Sequence, residues 1–165
     1  MRIRPERPED LHAIRALTSD AFKSMPHSSQ TEAAIVDALR GTGALAISLV
    51  AVQDTAIVGH AALSPVRIDD VDGGWYGLGP VSVAPSEQRK GIGKALIGEG
   101  LGRLRHLGAR GCVVLGDPAY YGRFGFANDP ALRYGDVPPP YLQRLVFAGA
   151  PPNGVVAFHA GFDAT

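Results

Sequence analysis

The segment that decides the fold covers residues 81 to 94 and reads Val81-Ser82-Val83-Ala84-Pro85-Ser86-Glu87-Gln88-Arg89-Lys90-Gly91-Ile92-Gly93-Lys94. An apolar strand leads into a glycine-containing turn, and the turn leads into a helix that we expect to end near Leu107. The first N–H groups of a helix are unpaired and its dipole is positive there, so this geometry can bind a phosphate. Gly91 and Gly93 lack the Cβ atoms that would keep a phosphate away from the backbone.

The charges around this turn support the same interpretation. Arg89, Lys90 and Lys94 form the densest basic cluster in a chain that is otherwise neutral, with 16 Lys+Arg against 16 Asp+Glu. This positive charge suits one small anionic ligand, whereas nucleic-acid binding needs a basic excess over a whole surface. The alternative is a solvated helix start whose glycines only turn the chain. Two known phosphate motifs are absent, since no G-x-x-x-x-G-K-[ST] occurs and position 96 is Leu rather than the third Gly of G-x-G-x-x-G.

Hydrophobic periodicity and turn signals on both sides of this segment predict a mixed α+β fold with one domain over residues 1–165. We expect a mostly antiparallel sheet flanked by helices, in the order β-α-α-β-β-β-α-β-α-β-β. The predicted strands are 2–4, 44–52, 56–68, 75–83, 111–115, 141–147 and 155–158, and the predicted helices are 8–22, 31–40, 92–107 and 117–123. Within the third long strand, Gly79-Pro80 predicts a bulge or local break, because proline cannot donate a hydrogen bond to a neighbouring strand.

Composition excludes several other classes of protein. Hydrophobic residues make up 45% of the 165-residue chain, which argues against disorder. The single Cys112 allows no internal disulfide and no zinc site built on thiolates, and it suits a reducing compartment. No apolar run approaches the roughly 18 residues of a membrane span, and residues 1–5 have no signal-peptide character. We therefore expect a cytoplasmic protein with neither a metal site nor a membrane partner.

Several motifs resemble the GNAT superfamily of N-acetyltransferases. Gln88–Gly93 matches that family's Q/R-x-x-G-x-G/A signature, and the segment Tyr120-Tyr121-Gly122-Arg123-Phe124-Gly125-Phe126 is similar to its F-Y-x-K-x-G-F element. Three further segments resemble the YhbS-like branch of predicted acetyltransferases, namely Leu78–Val81, Leu115–Tyr121 and Phe158–Phe162. The element order agrees from residue 2 to about residue 162, so the resemblance covers nearly the whole chain.

The resemblance implies acetyl-CoA as the acyl donor. Its pyrophosphate would be bound by backbone N–H groups between Arg89 and Lys94, with charge from both side chains. Gln88, Lys90, Gly91, Ile92 and Gly93 complete that loop. The pantetheine arm would lie along the main chain of Val81, Ser82 and Val83 like an added strand. A backbone N–H in the same stretch would hold the oxyanion that forms during transfer.

Tyr121 matches the family tyrosine that acts as general acid and also contacts the donor, with the adjacent Tyr120 as its competitor because registration in a short helix is uncertain by one residue. The general base stays open among His60, Glu32, Asp117 and His27, and a water chain ending on any of them would serve equally well. Each also has a structural explanation, and for Asp117 the best one is an N-cap on the following helix. His60 shares a strand face with Val58, Ala62 and Ser64.

The implied function is direct acetyl transfer to a primary amine of a small molecule or peptide. The loop Lys23–Gln30 and the proline-rich loop 127–140 would shape the acceptor site. The alternatives are a non-catalytic CoA-binding sensor or interaction module, and an O-acyl or longer-acyl transferase on the same fold. A homodimer is common in the family, although no local feature demands one here. Gly98, Gly100 and Gly102 lie inside a predicted helix, and close packing against the sheet would explain only one or two of them.

Overall fold

The structure is a computed structural model that describes all 165 residues, and its main elements follow the predicted order. Two short strands, β6 and β7, are added within the proline-rich loop. The helices are α1 (Leu11–Phe22), α2 (Glu32–Gly41), α3 (Ile92–His106) and α4 (Pro118–Tyr121). The strands are β1 (Arg2–Pro5), β2 (Ile47–Gln53), β3 (Ala56–Ile68), β4 (Val71–Val83), β5 (Gly111–Leu115), β6 (Ala127–Asn128), β7 (Leu132–Arg133), β8 (Leu142–Val146) and β9 (Gly154–Phe158).

The sheet is mixed and mostly antiparallel. Its strand order is β1-β2-β3-β4-β5-β8-β6, and within this path only the β4–β5 pair is parallel. β9 pairs antiparallel with the end of β3 at Val66–Ile68, beyond the point where β2 starts opposite Leu63. The C-terminal strand is thereby brought beside the middle of the chain.

The helices lie on both faces of the sheet. α3 covers one face so closely that a Cβ placed on Gly59 would lie 2.9 Å from the Ile92 side chain. On the opposite face, Val50 packs with Ile14 of α1 and Val36 of α2. Side chains alternate in direction along β2 and β3, so these two strands contribute to the hydrophobic core on the α3 face and to the core on the α1–α2 face.

The structure differs from the prediction at the starts of two strands and in one loop. β2 begins at Ile47 rather than Ala44, because the N–H groups of Ala44 and Leu45 bind the Leu39 carbonyl and close α2. β4 begins at Val71 rather than Trp75, because left-handed conformations at Asp69 and Asp70 complete the preceding turn by then. Residues 127–140 also contain β6 and β7, which form because β8 and β9 offer free edges to them.

We also find no helix in this chain that combines the length and the apolar character needed to cross a membrane.

Candidate active site

The parallel pairing of β4 with β5 stops partway along both strands. It covers Trp75–Gly77 against Gly111–Val113, while β5 continues to Leu115 and β4 to Val83. The β3–β4 register shifts between Ala61 and Leu63, opposite the Gly79-Pro80 segment, so the predicted bulge is confirmed. From Leu78 onward one edge of β4 is therefore free of a neighbouring strand.

The backbone of Val81 and Val83 points to this free edge. Ala84 donates its N–H to the Val58 carbonyl of β3 at 2.8 Å, and backbone groups alternate in direction along a strand. The groups of Ser82 therefore face β3, and those of Val81 and Val83 face away. The Gln88 side chain independently marks this direction, because its Nε2 donates to the Val83 carbonyl at 3.2 Å.

The loop after β4 has a set of unused backbone donors. None of the N–H groups from Arg89 to Lys94 donates a hydrogen bond within the chain. Left-handed conformations at Arg89 (φ 65°) and Gly91 (φ 85°) turn the loop into α3. Lys90 is engaged by Glu87 at 3.1 Å, whereas neither Arg89 nor Lys94 forms an ion pair. A donor cluster with two free cations can bind a diphosphate.

Tyr120 belongs to this end of the site. It lines a cavity of about 320 Å³ together with Val83 and the loop residues, including Gly91, Ile92 and Gly93. The Arg123 guanidinium lies 4.7 Å from the centre of the Tyr120 ring, which adds a third cation at the cavity wall.

A second cavity of about 410 Å³ opens at the other end of the free β4 edge. It is enclosed by the end of α1, the following loop, the start of α2, β4, β5, α4 and the C-terminal segment. Its lining is Phe22, Met25, Glu32, Ile35, Leu78, Gly79, Pro80, Val81, Leu115, Tyr121, Tyr134, Phe158 and Phe162. Val81 thus connects the free strand edge with this cavity.

Tyr121 is held in this second cavity by close packing. A Cβ placed on Gly116 would lie 2.4 Å from the Tyr121 ring, so the glycine makes room for it. Burial, with smaller contributions from Tyr120 and Cys112, raises the pKa of Tyr121 to about 12. The phenol therefore stays protonated at neutral pH and can donate a hydrogen bond or a proton.

Glu32 supplies the only charged side chain of the second cavity. It is the first residue of α2 and half-buried, and its Oε1 accepts a hydrogen bond from Ser28 Oγ at 2.6 Å. A carboxylate in the first turn is favoured by the helix dipole. The hydrogen bond from Ser28 thus orients the carboxylate at the helix start.

His60 lies elsewhere. Its ring is fully buried on the α1–α2 face of the sheet, with Nε2 2.8 Å from Ser48 Oγ, and it does not line the cavity of Tyr121 and Glu32. Ser48 in turn bonds Glu6, which pairs with Arg40 at 2.7 Å. Burial lowers the pKa of His60 to about 4 despite the nearby Glu6 carboxylate. The ring is thus a neutral part of a buried polar network.

The remaining sequence candidates lie outside both cavities. His27 is exposed in the loop before α2. Asp117 caps α4, with its Oδ1 accepting from the Ala119 N–H at 2.9 Å, as predicted. Cys112 is fully buried, and burial raises the pKa of its thiol. No group of three or more His, Cys, Asp or Glu side chains is placed to hold a metal ion.

Sequence reasoning missed the aromatic wall of the second cavity. Tyr134 and Phe158 meet edge to face at 5.0 Å, and Phe162 follows Phe158 at 5.1 Å. The available signal was the resemblance at Phe158–Phe162, which gave no role to these rings. Met25 and Tyr134 come from the two loops that were expected to shape the acceptor site.

The family model for the acetyltransferase (GNAT) family matches residues 11–126. The free edge of β4, the loop that follows it and the arrangement of helices on the sheet are thus those of an acyl-transferring fold. The chain belongs to the acetyltransferase (GNAT) family.

Individual relatives are similar over most of the chain. It is 39% identical over 127 residues to the uncharacterised N-acetyltransferase YhbS of Escherichia coli K12, covering 76% of this chain and 73% of YhbS. A GNAT-family acetyltransferase from Brucella melitensis, solved in complex with acetyl-CoA, is 51% identical with a TM-score of 0.89, covering 98% of this chain and 97% of that one. The structure of Escherichia coli YhbS in complex with CoA is 34% identical with a TM-score of 0.89, covering 98% and 91% of the two chains.

Proposed function

We propose that this protein is an acetyl-CoA-dependent N-acetyltransferase that transfers the acetyl group directly to a primary amine. The observation that carries the proposal is the free edge of β4. It runs from a loop with unused N–H donors to a cavity that contains both Tyr121 and Glu32. The complexes of the Brucella relative with acetyl-CoA and of YhbS with CoA support the choice of donor.

In this proposal the donor extends along β4. The N–H groups of residues 89–94, with Arg89 and Lys94, bind the pyrophosphate. The side chains of Gln88 and Lys90 shape the loop rather than bind the anion directly, because each side chain already has a partner within the chain. The outward groups of Val81 and Val83 bond the pantetheine amides, as an added strand would, and Ser82 supports them by pairing with β3.

The reaction then needs two proton movements. The acceptor ammonium loses a proton, and the neutral nitrogen attacks the thioester carbonyl to form the new C–N bond. A backbone N–H at Val81 or Val83 stabilises the oxyanion. As the C–S bond breaks, Tyr121 protonates the leaving sulfur, and the second proton of the attacking nitrogen passes to the phenolate and restores Tyr121, so that free CoA and the neutral acetylated amide are the products.

The raised pKa of Tyr121 keeps its proton on the phenol at neutral pH and also makes the phenol a weaker acid. A thiol with an ordinary pKa near 8.5 is a stronger acid than a phenol at about 12. The burial that raises the tyrosine pKa also raises that of a thiol held beside it, as it does for Cys112 in the same region. Burial thus narrows the gap between the two pKa values, and proton transfer from the phenol to the leaving thiolate becomes less unfavourable in this site.

Glu32 is the proposed base for the acceptor amine, directly or through one water. It lines the same cavity as Tyr121, whereas His60 is buried apart from it with a pKa of about 4. His60 is therefore not retained as a base and is assigned a structural role.

The test is an assay of acetyl-CoA with a panel of primary amines, following free thiol release and acetylated product by mass spectrometry. We expect Glu32→Gln to lower kcat/KM by about 100-fold or more, the range typical of general base catalysis. Glu99→Gln, which removes an exposed carboxylate paired with Arg103 on α3, is the matched control and should leave kcat/KM unchanged. Binding of acetyl-CoA without thiol release for any amine would refute the proposal.

A further inference from the structure

The second cavity has one charged group in an otherwise apolar lining. Apart from Glu32, the wall consists of hydrophobic or aromatic residues and Gly79. Five of these residues are aromatic, namely Phe22, Tyr121, Tyr134, Phe158 and Phe162. The volume of about 410 Å³ lies within the range of roughly 300–1,000 Å³ that small-molecule sites occupy.

Charge matching in such a cavity sets a limit on the ligand. A cation that leaves water for an apolar wall needs a counter-charge, and Glu32 supplies one. A second ammonium held inside this cavity would lie against apolar side chains with no second carboxylate on its wall, since Asp20 belongs to an adjoining cavity that shares Phe22 and Glu32. One carboxylate therefore matches one ammonium.

The shape of the wall indicates the rest of the ligand. Tyr134, Phe158 and Phe162 form a continuous row of edge-to-face and tilted rings, with centroid separations of 5.0 and 5.1 Å. Aromatic rows of this kind bind flat rings or aliphatic chains through offset and edge contacts.

From these observations we infer that the acceptor is a primary monoamine with an apolar body, either an alkyl chain or an aromatic ring. Its body packs on the row of Tyr134, Phe158 and Phe162, and its single ammonium pairs with Glu32. The inference rests on the proposed function and narrows its acceptor. Polyamines and other polycationic amines are disfavoured, because the wall of this cavity has no second carboxylate.

The test compares hexylamine and phenethylamine with hexamethylenediamine, which has the chain length of hexylamine and a second ammonium. With acetyl-CoA saturating, we expect kcat/KM for both monoamines to exceed that for the diamine by about tenfold or more. Met25→Glu places a second carboxylate on the wall, at a residue that is 42% exposed and should tolerate it. This variant should lower the ratio of kcat/KM for hexylamine to kcat/KM for hexamethylenediamine by about tenfold.

The matched control is Leu107→Glu, which adds the same charge at an exposed apolar residue outside the cavity and should leave the preference unchanged. If the wild type uses the diamine as well as hexylamine, the inference is wrong while acetyl transfer stands. A monoamine preference that Met25→Glu does not alter also overturns it, since charge matching would then not be the cause. If acetyl-CoA binds and none of these three amines releases thiol, the inference is wrong, whereas the proposed function fails only if no amine of the wider panel releases thiol.

Discussion

Tyr120 and Tyr121 are neighbours in one short helix, yet their rings lie 5.0 Å apart at 87° and line different cavities. Tyr120 lies beside Gly93 and Arg123 at the end with the free backbone donors. Tyr121 lies with Glu32 at the apolar end. The sequence favoured Tyr121 as the acid with Tyr120 as its competitor, and the perpendicular arrangement puts the two rings in different cavities.

This separation predicts different effects for two otherwise identical substitutions. Tyr121→Phe removes the proposed proton donor, so kcat should fall by about 100-fold or more with little change in acetyl-CoA affinity. Tyr120→Phe should leave kcat nearly unchanged, because its ring packing is retained. Steady-state kinetics with calorimetric binding of acetyl-CoA would check both variants. Equal activity of Tyr121→Phe and wild type would rule out the acid role.

A substitution at Gly91 should weaken acetyl-CoA binding, and this effect can be separated from the loss of stability. Gly91→Asp adds a negative charge among the unused N–H donors and should weaken acetyl-CoA binding by at least about tenfold. Gly108→Asp is the control, because Gly108 has a similar φ of 81° against 85° and a Cβ there also meets open space. Both variants should lose about 1–2 kcal/mol of unfolding free energy from left-handed strain. Equal acetyl-CoA affinity in the two variants would contradict the proposed anion site.

The glycines of α3 predict stability changes of opposite sign. Gly98 and Gly102 have no atom within 4 Å of an added Cβ, so alanine at either should raise the free energy of unfolding by about 0.5–1 kcal/mol. A Cβ on Gly100 would lie 2.9 Å from Cδ1 of the fully buried Leu63. Gly100→Ala should therefore lower stability by about 1–3 kcal/mol. Denaturant titration of the three variants measures this, and a stabilising Gly100→Ala would show that Leu63 can move aside.

Because His60 is buried in its neutral form, we expect the protein to lose stability in mild acid. Its folded pKa of about 4 lies below the ordinary value of 6.5, so the unfolded chain binds the proton first as the pH falls. The contribution of neutral His60 to the free energy of unfolding is complete above about pH 6.5 and is lost toward pH 4. The loss over this range amounts to about 3 kcal/mol.

Unfolding titrations of wild type and His60→Gln between pH 7 and 4.5 would test this. The pKa values of Glu6, Asp10 and Asp129 are lowered in the folded state, so their stabilising contributions start to fall near the lower limit in both proteins and largely cancel in the comparison. Wild type should lose stability across the window, and the variant should stay nearly level. Parallel curves for the two proteins would contradict the buried, neutral state of His60.

Features with a local cause could be predicted from the sequence. The loop at residues 88–94 follows from glycine spacing and charge, the bulge from Gly79-Pro80, and the cap from Asp117 before Pro118. Each depends on the conformational limits of a few adjacent residues, which no distant contact needs to supply.

Other features required knowledge of what packs across the sheet. His60 reads as a candidate base on a polar strand face, but α1, α2 and the Glu6–Arg40 pair cover that face and bury it. Gly100 reads as an unexplained helix glycine until Leu63 is seen beneath it. In both cases the deciding neighbours lie outside the local segment, since Arg40 is 20 residues from His60 and Leu63 is 37 residues from Gly100.

The sequence by itself therefore determined the order of the elements, the family and the place of the glycine-containing loop before α3, because these depend on periodicity and on short motifs. Only the tertiary structure decided which tyrosine and which carboxylate share a cavity, and that aromatic rings surround them. The physical reason is that this cavity forms where β9 returns to pair with β3 at Val66–Ile68. That pairing brings Phe158 and Phe162 beside residues near the start of the chain, such as Phe22 and Glu32.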